Sequence, residues 1–439
     1  MKPRPPLPEG PYLVVGLARS GAAAALMLRE HGEVIGCDAG QPEQARALSG
    51  VEVHLESDGA ELVERVRTVV KSPGVPHTAP AIERARERDL EVTGELELAW
   101  RLLPNEFVAV TGTNGKTTTT ELLGAIHREA GVDAAVAGNV GTPLASLVGA
   151  LDANAVVVCE CSSFQLEDAS AFAPECAALL NLAADHIDRH GSERRYREAK
   201  LSIFARQDAG DVAVAPPGVE PAGGASVVTF GGADTDLALR EGTLQWCDEP
   251  LMPAADVALR GGHNLQNAMA AAAAALARGV PAGPVVEALA SFRGVAHRLE
   301  VVGSAGGVVF VNDSKATNVD AAAAGIAAFR GGVHAILGGS LKGSGFEALR
   351  AVVAERCRAC YLIGEAAGRL HADLDGAAPL HDCGDLERAV AAAAEAAGEG
   401  QVVLLSPACA SYDQYADYEQ RGDHFRALVR RLGAAEDRG

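Results

Sequence analysis

The stretch Phe107-Val-Ala-Val-Thr-Gly-Thr-Asn-Gly-Lys-Thr-Thr118 predicts the fold in the middle of the chain: an apolar strand, a glycine turn and then a helix. Glycines let backbone N–H groups converge on phosphate oxygens, Lys116 adds a positive charge, and Thr117 offers a hydroxyl to Mg²⁺. The formal pattern G-x-x-x-x-G-K-[ST] is not met, because position 110 is valine. The alternative is a glycine turn with a surface lysine. The context favours a phosphate-binding loop made of Gly112, Thr113, Asn114, Gly115, Lys116, Thr117 and Thr118.

Short apolar runs alternate with helical stretches on both sides of this loop, which is typical of parallel sheets covered by helices. The predicted strands are residues 12–15, 34–35, 68–70, 107–110, 156–158, 178–180, 308–311, 334–337, 361–363 and 402–405. Breaks near 94–104 and 294–300 divide them into three series, and 229–260 resembles short antiparallel strands added to the middle sheet. We therefore expect three α/β domains at residues 1–97, 98–298 and 299–439. The first and last are expected to be Rossmann-like, and the central one to have a mainly parallel sheet.

Charge and composition exclude several classes of protein. The 38 basic and 58 acidic side chains give 38 − 58 = −20, so nucleic acid and anionic membrane are poor partners. The most apolar stretch, residues 268–277, is half the length of a membrane span. The start, MKPRPPLPEG, lacks the apolar segment of a signal peptide, and nine scattered cysteines fit reduced thiols. These features predict a cytoplasmic protein without a membrane span.

Polar residues follow the next two strands of the middle series. Glu160 ends one of them, where the second ligand of nucleotide-bound Mg²⁺ usually lies. The segment Asp185-His-Ile-Asp-Arg-His190 brings two aspartates and two histidines together. Its imidazoles are either metal ligands or part of a solvated loop. Lys200 faces inward on a predicted helix, although a lysine at such a place more often extends its charge to solvent than acts in catalysis.

Three later segments also carry polar groups that could bind a nucleotide. Asn264 and Asn267 lie three residues apart on one helix face and could hydrogen-bond an adenine edge. Arg298 lies where the second and third series meet and could reach a phosphate. Residues 312–318, NDSKATN, follow a strand at the edge where open α/β sheets bind ligands.

The order of these motifs along the chain resembles that of the Mur ligases of peptidoglycan assembly, and the resemblance covers nearly the whole chain. The motifs are TGTNGKTT (111–118), SSFQLE (162–167), DHIDRH (185–190), YREAK (196–200), HNLQN (263–267), HR (297–298), NDSKATN (312–318) and SPACASYDQY (406–415). NDSKATN and SPACAS favour the members that add D-glutamate, since the ligases of this family that add other amino acids have different sequences at these places.

The resemblance implies an ATP-dependent amide ligase that adds D-glutamate to UDP-N-acetylmuramoyl-L-alanine through an acyl phosphate, acting as a monomer on small molecules. It implies that Lys116 and Thr117 bind the ATP phosphates and a first Mg²⁺, with Glu160 as a metal ligand. A second Mg²⁺ would be served by His186 and by Lys200. Lys200 would be an N-carbamate, because a bare ammonium would repel the cation.

The resemblance also implies the remaining substrate contacts. Asn264 and Asn267 would hold the adenine, and Arg298 would hold the phosphates. Asp313 would contact the ribose, and Lys315 the phosphate region. D-Glutamate would contact Thr317, Lys342, Ser411 and Tyr418, the last of which stands where phenylalanine is more usual. The muramoyl substrate would contact Asn139.

The first domain carries Gly16-Leu-Ala-Arg-Ser-Gly21, in which Ala18 replaces the middle glycine of a dinucleotide motif. This change weakens a dinucleotide interpretation and suits a UDP diphosphate on the N-terminus of the following helix, at Arg19, Ser20 and Gly21. The segment Ser72-Pro73-Gly74 would complete that anion site. Asp38 either accepts from a ribose or uracil donor or only forms a turn.

Three other functions compete with this interpretation. An NAD-dependent oxidoreductase accounts for the first βαβ unit but leaves the phosphate loop and NDSKATN unexplained. A non-enzymatic, ATP-gated regulatory protein would be favoured by loss of Lys116, Glu160 or Lys200, and all three are present. A folylpolyglutamate-synthase-like ligase shares the central domain but is not expected to carry a compact UDP-type first domain.

Overall fold

In the computed structural model, which describes residues 2–183, 185–259, 261–341 and 345–433, the strands form four sheets. The chain divides into two units, residues 1–260 with 264–292 and residues 261–263 with 293–439. The predicted α/β class with largely parallel sheets is confirmed. Among the described residues, no helix combines the length and apolar composition needed to cross a membrane.

The first sheet is parallel throughout and has the strand order β3-β2-β1-β4-β5. Its strands are β1 (Tyr12–Val15), β2 (Val34–Asp38), β3 (Glu52–Leu55), β4 (Thr68–Lys71) and β5 (Glu91–Gly94), and its helices are α1 (Arg19–Leu28), α2 (Pro80–Glu87) and α3 (Glu95–Leu102). At Gly21 an added Cβ atom would lie 1.8 Å from the Gly16 carbonyl oxygen. Glycine at position 21 is therefore required for α1 to pack against the end of β1.

The second sheet is also parallel and has the order β11-β10-β9-β6-β8-β7. Its strands are β6 (Glu106–Thr111), β7 (Ala134–Gly138), β8 (Val156–Glu160), β9 (Cys176–Leu179), β10 (Val212–Ala215) and β11 (Ser226–Thr229). Its first helices are α4 (Lys116–Glu129), α5 (Ser163–Glu167), α6 (Ile187–His190) and α7 (Glu193–Leu201). Because β6 lies between β8 and β9, the loops that follow these three strands meet at a topological switch point, where such folds bind ligands.

The antiparallel strands predicted after residue 229 are present, but they are not added to the second sheet as expected. They form a separate three-stranded sheet of β12 (Leu237–Arg240), β13 (Thr243–Trp246) and β14 (Glu249–Pro253), followed by α8 (Gly262–Ala277) and α9 (Ala282–Ser291). Both connections are tight turns with positive φ at Glu241-Gly242 and Cys247-Asp248. Such turns pair each strand with its sequence neighbour rather than with a distant sheet.

The last sheet has the order β15-β16-β20-β17-β18-β19, with β15 antiparallel to β16 and the others parallel. Its strands are β15 (Glu300–Ala305), β16 (Val308–Asn312), β17 (Val333–Gly338), β18 (Cys357–Ile363), β19 (Leu380–Gly384) and β20 (Val402–Leu405). Its helices are α10 (Val319–Ala327), α11 (Arg350–Arg356), α12 (Ala367–Leu374), α13 (Leu386–Ala396) and α14 (Tyr418–Arg431).

The first two sheets share one hydrophobic core. Tyr12 of β1 and the following Leu17 belong to the same buried cluster as Phe107 of β6 and Ile203, which follows α7. Trp100 of α3 is in the same cluster. A buried ion pair joins the same two sheets, since Lys71 Nζ lies 2.7 Å from the carboxylate of Asp168. The first unit is therefore one packed body that contains two sheets.

Candidate active site

The predicted phosphate loop lies between β6 and α4. Gly115 begins the helix with φ +84°, and an added Cβ there would meet Asn267 Oδ1 at 2.1 Å, so both conformation and space require glycine. Lys116 Nζ donates to the carbonyl oxygens of Gly112 and Thr113, at 3.0 Å each. Its charge is thereby held at the loop itself.

Thr117 and Glu160, predicted as partners from separate strands, are in contact. The Thr117 hydroxyl donates to Glu160 Oε2 at 2.7 Å, and the Asn139 side-chain amide donates to Glu160 Oε1 at 3.1 Å. The register of the sheet explains this, because Glu160 pairs with Val110 on one side and Gly138 on the other. Three oxygen-bearing side chains at one point are a donor set that fits Mg²⁺.

Lys200 reaches the same loop from α7. Its side chain is 2 % exposed, and Nζ donates to the Gly112 carbonyl oxygen at 2.7 Å. Nζ also lies 4.8 Å from the centre of the Tyr196 ring. Burial and then the neighbouring charge of Lys116 lower the pKa of Lys200 to about 7. The alternative of a lysine that extends to solvent is therefore wrong.

His186 lies at the start of α6 with φ +50° and a half-exposed side chain. The centre of its ring is 5.0 Å from that of Phe164 and 6.4 Å from that of Tyr196. Tyr196 thus neighbours both residues predicted to serve a second metal ion. Within the described ranges, no cluster of three or more His, Cys, Asp or Glu side chains is arranged to hold a metal. A metal site at this edge therefore needs donors of other kinds beside Glu160.

The imidazole of His190 has a structural role in the protein. It is buried, with Nε2 3.0 Å from Ser163 Oγ and Nδ1 2.8 Å from Glu167 Oε1, and it stacks on the ring of Phe164. Both ring nitrogens are therefore hydrogen-bonded within the protein. His190 fixes the segment 185–190 against α5, which the sequence alone did not indicate.

The candidate anion site of the first sheet is largely occupied by its own hydrogen bonds. The Ser72 hydroxyl donates to the Gly16 carbonyl oxygen at 2.7 Å. The carboxylate of Asp38 accepts from the backbone N–H groups of Leu17 and Gly40, at 2.7 and 2.8 Å. These contacts correspond to the turn-forming alternative for Asp38.

Arginines approach this region from the second sheet and from α1. Arg189 donates to the carbonyl oxygens of Pro73, Gly74 and Val75 at 2.8, 3.2 and 2.6 Å. Arg19, with Ser20 in the first turn of α1, donates to the Gly141 carbonyl oxygen at 3.3 Å.

Two of the predicted nucleotide residues lie in the last unit, where Asp313 is buried and Arg298 is half-buried. Asp313 accepts from the Ser406 hydroxyl at 2.8 Å and from the Leu299 N–H at 3.2 Å. Burial raises the pKa of Asp313 to about 7. The Nε atom of Arg298 is buried and makes no hydrogen bond within the described part of the chain.

The residues predicted to bind D-glutamate follow β16, β17 and β20. Lys315 Nζ lies 5.7 Å from the centre of the Tyr418 ring, and Thr317 follows in the same loop. Ser411 is buried. Ala410, which precedes it, pairs with Ser340 in an antiparallel bridge between the loop after β20 and the loop after β17. Lys342 lies outside the described residues.

Comparison with known proteins decides the family. Residues 110–275 match the Mur ligase middle domain, and residues 297–409 match the Mur ligase glutamate ligase domain. A protein from Acidobacterium capsulatum is 42% identical over 95% of both chains, and one from Koribacter versatilis is 39% identical over 97% of this chain and 98% of its own. Both carry the name UDP-N-acetylmuramoylalanine--D-glutamate ligase. The chain belongs to the Mur ligase family. The resemblance deduced from its motifs is confirmed, and the oxidoreductase alternative is wrong.

Solved structures of other Mur ligases share the fold. UDP-N-acetylmuramate-alanine ligase from Thermotoga maritima covers 97% of this chain and 99% of its own, with a TM-score of 0.62 at 20% identity. MurF ligase from the same organism, in complex with ADP, covers 91% and 96%, with a TM-score of 0.59 at 18% identity.

One residue of this Mur ligase was missed in the sequence. Arg421, on α14, is 1 % exposed and binds the loops that carry the predicted D-glutamate residues. Its neighbours Gln420, Gly422 and Asp423 indicate an exposed helix face, so no local pattern predicts its burial.

Proposed function

We propose that this Mur ligase is an enzyme that joins D-glutamate to UDP-N-acetylmuramoyl-L-alanine with the consumption of ATP, in the synthesis of peptidoglycan precursors. The observation that carries the proposal is the contact between Thr117 and Glu160 beside Lys116, at the switch point of a parallel sheet. The choice of substrates is supported by relatives with that name, 39% to 42% identical over at least 95% of this chain. The alignments with these relatives extend over 95% and 97% of this chain and so include the first sheet. This favours the proposed function over a folylpolyglutamate-synthase-like ligase.

The chemistry explains why ATP is needed. A carboxylate is a poor acyl donor, because an oxide ion would have to leave. Transfer of the γ-phosphoryl group to the carboxylate of the alanyl substrate gives an acyl phosphate. The amine of D-glutamate then attacks the acyl carbon, and inorganic phosphate leaves with the C–O bond electrons while the amine loses its proton. The site must screen two approaching anions in the first step.

Lys116 and the Thr117–Glu160 pair are suited to that screening. The charge of Lys116 lies at the loop, within 3.0 Å of the carbonyls of Gly112 and Thr113, where the phosphoryl group would bind. Thr117, Glu160 and Asn139 provide the oxygen donors that would hold Mg²⁺, which supplies charge stabilisation to phosphoryl transfer when bound. In this proposal Asn139 also contacts the muramoyl substrate.

Lys200 is proposed to carry an N-carbamate and, with His186, to serve a second Mg²⁺. Only a neutral amine attacks CO₂, forming an N–C bond and releasing one proton. Support comes from the buried Nζ and from its pKa of about 7, which leaves a large neutral fraction at neutral pH. An unmodified lysine at this position donates to Gly112 and adds a second positive charge beside Lys116.

The remaining roles stay as predicted from the motifs. We assign the nucleotide to Asn264, Asn267, Arg298, Asp313 and Lys315, and the UDP moiety to Arg19, Ser20, Gly21, Asp38, Ser72, Pro73 and Gly74. D-Glutamate is assigned to Thr317, Lys342, Ser411 and Tyr418. We further propose domains at 1–97, 98–298 and 299–439, a monomer and a cytoplasmic location.

Release of phosphate by the purified protein tests the function. The reaction contains ATP, Mg²⁺, UDP-N-acetylmuramoyl-L-alanine and either D- or L-glutamate. We expect turnover with D-glutamate, none when any one component is omitted, and little with the L-isomer. Equal rates with both isomers, or turnover without the UDP substrate, would contradict the proposal.

A further inference from the structure

Arg421 is a buried cation that connects three loops of the last sheet. Its Nε donates to Ser314 Oγ at 3.0 Å, and Nη2 donates to the carbonyl oxygens of Ser314 and Cys409 at 2.9 and 3.1 Å. Nη1 donates to the carbonyl oxygens of Ala410 and Gly338 at 3.3 and 3.5 Å. Ser314 follows β16, Gly338 ends β17, and Cys409 and Ala410 follow β20. One side chain thus holds the ends of three strands.

All five of these acceptors are uncharged, which is costly for a buried guanidinium. Burial lowers the pKa of Arg421 to about 10, and Asp413 acts on it in the opposite direction. The Asp413 carboxylate, however, accepts from the Glu365 N–H and from the Ser340 hydroxyl, at 3.1 and 3.4 Å. The positive charge under the three loops is therefore only partly balanced within this unit.

The hydrogen bonds of Arg421 also orient the peptide groups above it. The C=O and N–H of a trans peptide point in opposite directions. Because the Ala410 carbonyl points to the guanidinium, the N–H of Ser411 points away from it, whereas Ala410 itself is paired with Ser340 in the antiparallel bridge. A residue with φ +61°, Ala408, precedes this segment.

We propose that Arg421 is a positioning residue for the acceptor amino acid, and that its charge makes this sheet edge prefer an acceptor with two carboxylates. The inference rests on the proposed function and deepens it. Arg421 does not touch the acceptor. It fixes the loops that carry Thr317 and Ser411, and it adds a positive potential beneath them. A neutral amino acid would gain the first effect and not the second.

Steady-state kinetics of phosphate release by the full chain test this role. In Arg421→Gln the charge and most of the hydrogen bonds are lost, and we expect the KM for D-glutamate to rise about 10- to 100-fold. The KM values for ATP and for the UDP substrate should stay within about 3-fold of the wild type. Arg421→Lys keeps the charge without the planar array of donors, so its KM for D-glutamate should rise less.

Arg431→Gln on the same helix is the matched control, since Arg431 is exposed and pairs with Glu387. It should leave all three KM values unchanged. An unchanged KM for D-glutamate in Arg421→Gln would overturn the inference, and so would an equal rise for all three substrates, which indicates general misfolding. If Arg421→Gln shows no cooperative melting, Arg421→Lys decides by the same criterion. Absence of turnover in the wild type would instead contradict the proposed function.

Discussion

Lys200 and Arg421 are both buried cations that bind backbone carbonyls at the carboxyl edge of a parallel sheet, but they differ in how many bonds they make. Lys200 makes one hydrogen bond, to Gly112 at 2.7 Å, and burial followed by the repulsive charge of Lys116 lowers its pKa to about 7. Arg421 makes five hydrogen bonds, and burial lowers its pKa to about 10.

This difference separates a reactive group from a permanent charge. An amine near its pKa can lose its proton and react with CO₂, whereas a guanidinium stays charged at any physiological pH. Lys71 is a third case, because it is buried against a carboxylate, that of Asp168. Burial lowers the pKa of Lys71 and raises the pKa of Asp168, while their mutual attraction opposes both shifts. In our proposals Lys200 reacts and Arg421 positions the acceptor, whereas Lys71 contributes to stability.

The largest expected effect is that of removing Lys200, which tests whether this buried amine is a reactive group. We expect Lys200→Ala to lower kcat on the order of 10³-fold, because a carbamate that holds a metal ion contributes several kcal/mol to the transition state. Added acetate or formate should partly restore phosphate release by presenting the same oxygens, and chloride at equal ionic strength should not. Lys200→Arg should remain inactive, since guanidinium cannot take up CO₂. Full activity of Lys200→Ala would refute the role.

A second test concerns the paired cation. Asp168→Asn should lower the free energy of unfolding by about 3 to 5 kcal/mol, because it leaves Lys71 buried without its counter-charge. Urea unfolding measures this, and the double variant Lys71→Met with Asp168→Leu should recover most of the loss. As a control, Glu64→Gln removes an exposed partner of Arg84 and Arg88 and should cost far less stability than Asp168→Asn. Equal losses in the two single variants would show that Lys71 needs no carboxylate.

Lys116→Ala tests whether the charge of Lys116 acts on the substrate, in contrast to the charge of Lys71, which stabilises the fold. We expect kcat to fall about 10²-fold, the usual loss when one group that stabilises transition-state charge is removed. The circular dichroism spectrum and melting temperature should remain those of the wild type. Because Lys116 repels Lys200, the removal should also raise the pKa of Lys200. Wild-type turnover would make the loop purely structural.

The smallest expected effect concerns the support of the loop that carries His186. Ser163→Ala removes the partner of His190 Nε2 and should lower the free energy of unfolding by about 1 kcal/mol. The kcat should fall less than about 10-fold, because Glu167 still holds the other ring nitrogen. Ser146→Ala, at an exposed turn, is the control and should change neither quantity. A loss as large as that of Lys116→Ala would give His190 a direct part in catalysis.

The strands of the parallel sheets could be predicted because buried parallel strands are continuous apolar runs. The run 107–110, for example, lies within β6 at Glu106–Thr111. The meeting of Thr117 with Glu160 could be predicted as well, since Thr117 follows β6, Glu160 ends β8, and the carboxyl ends of these neighbouring strands share one edge. The inward face of Lys200 was indicated by the apolar Leu201 and Phe204 beside it.

Pairing between distant segments could not be predicted in the same way. The separate sheet of β12, β13 and β14 depends on two tight turns, in each of which only the second residue, Gly242 or Asp248, is of a type that marks such a turn. The burial of Arg421 depends on carbonyls up to 107 residues away in the chain, at Ser314. Every residue has a backbone carbonyl, so the residue types do not indicate which carbonyls accept a hydrogen bond from a distant side chain.

The core shared by the first two sheets has a consequence for dissecting the protein. A fragment that begins at residue 98 would keep Phe107 and Ile203 but lose Tyr12 and Leu17, which belong to the same buried cluster. It would also leave Asp168 without Lys71. The position near residue 97 therefore marks a change of sheet and not a place to cut. Recombinant pieces or chimaeras of this chain should keep residues 2–292 intact, and a swapped first segment must bring its own matching surface.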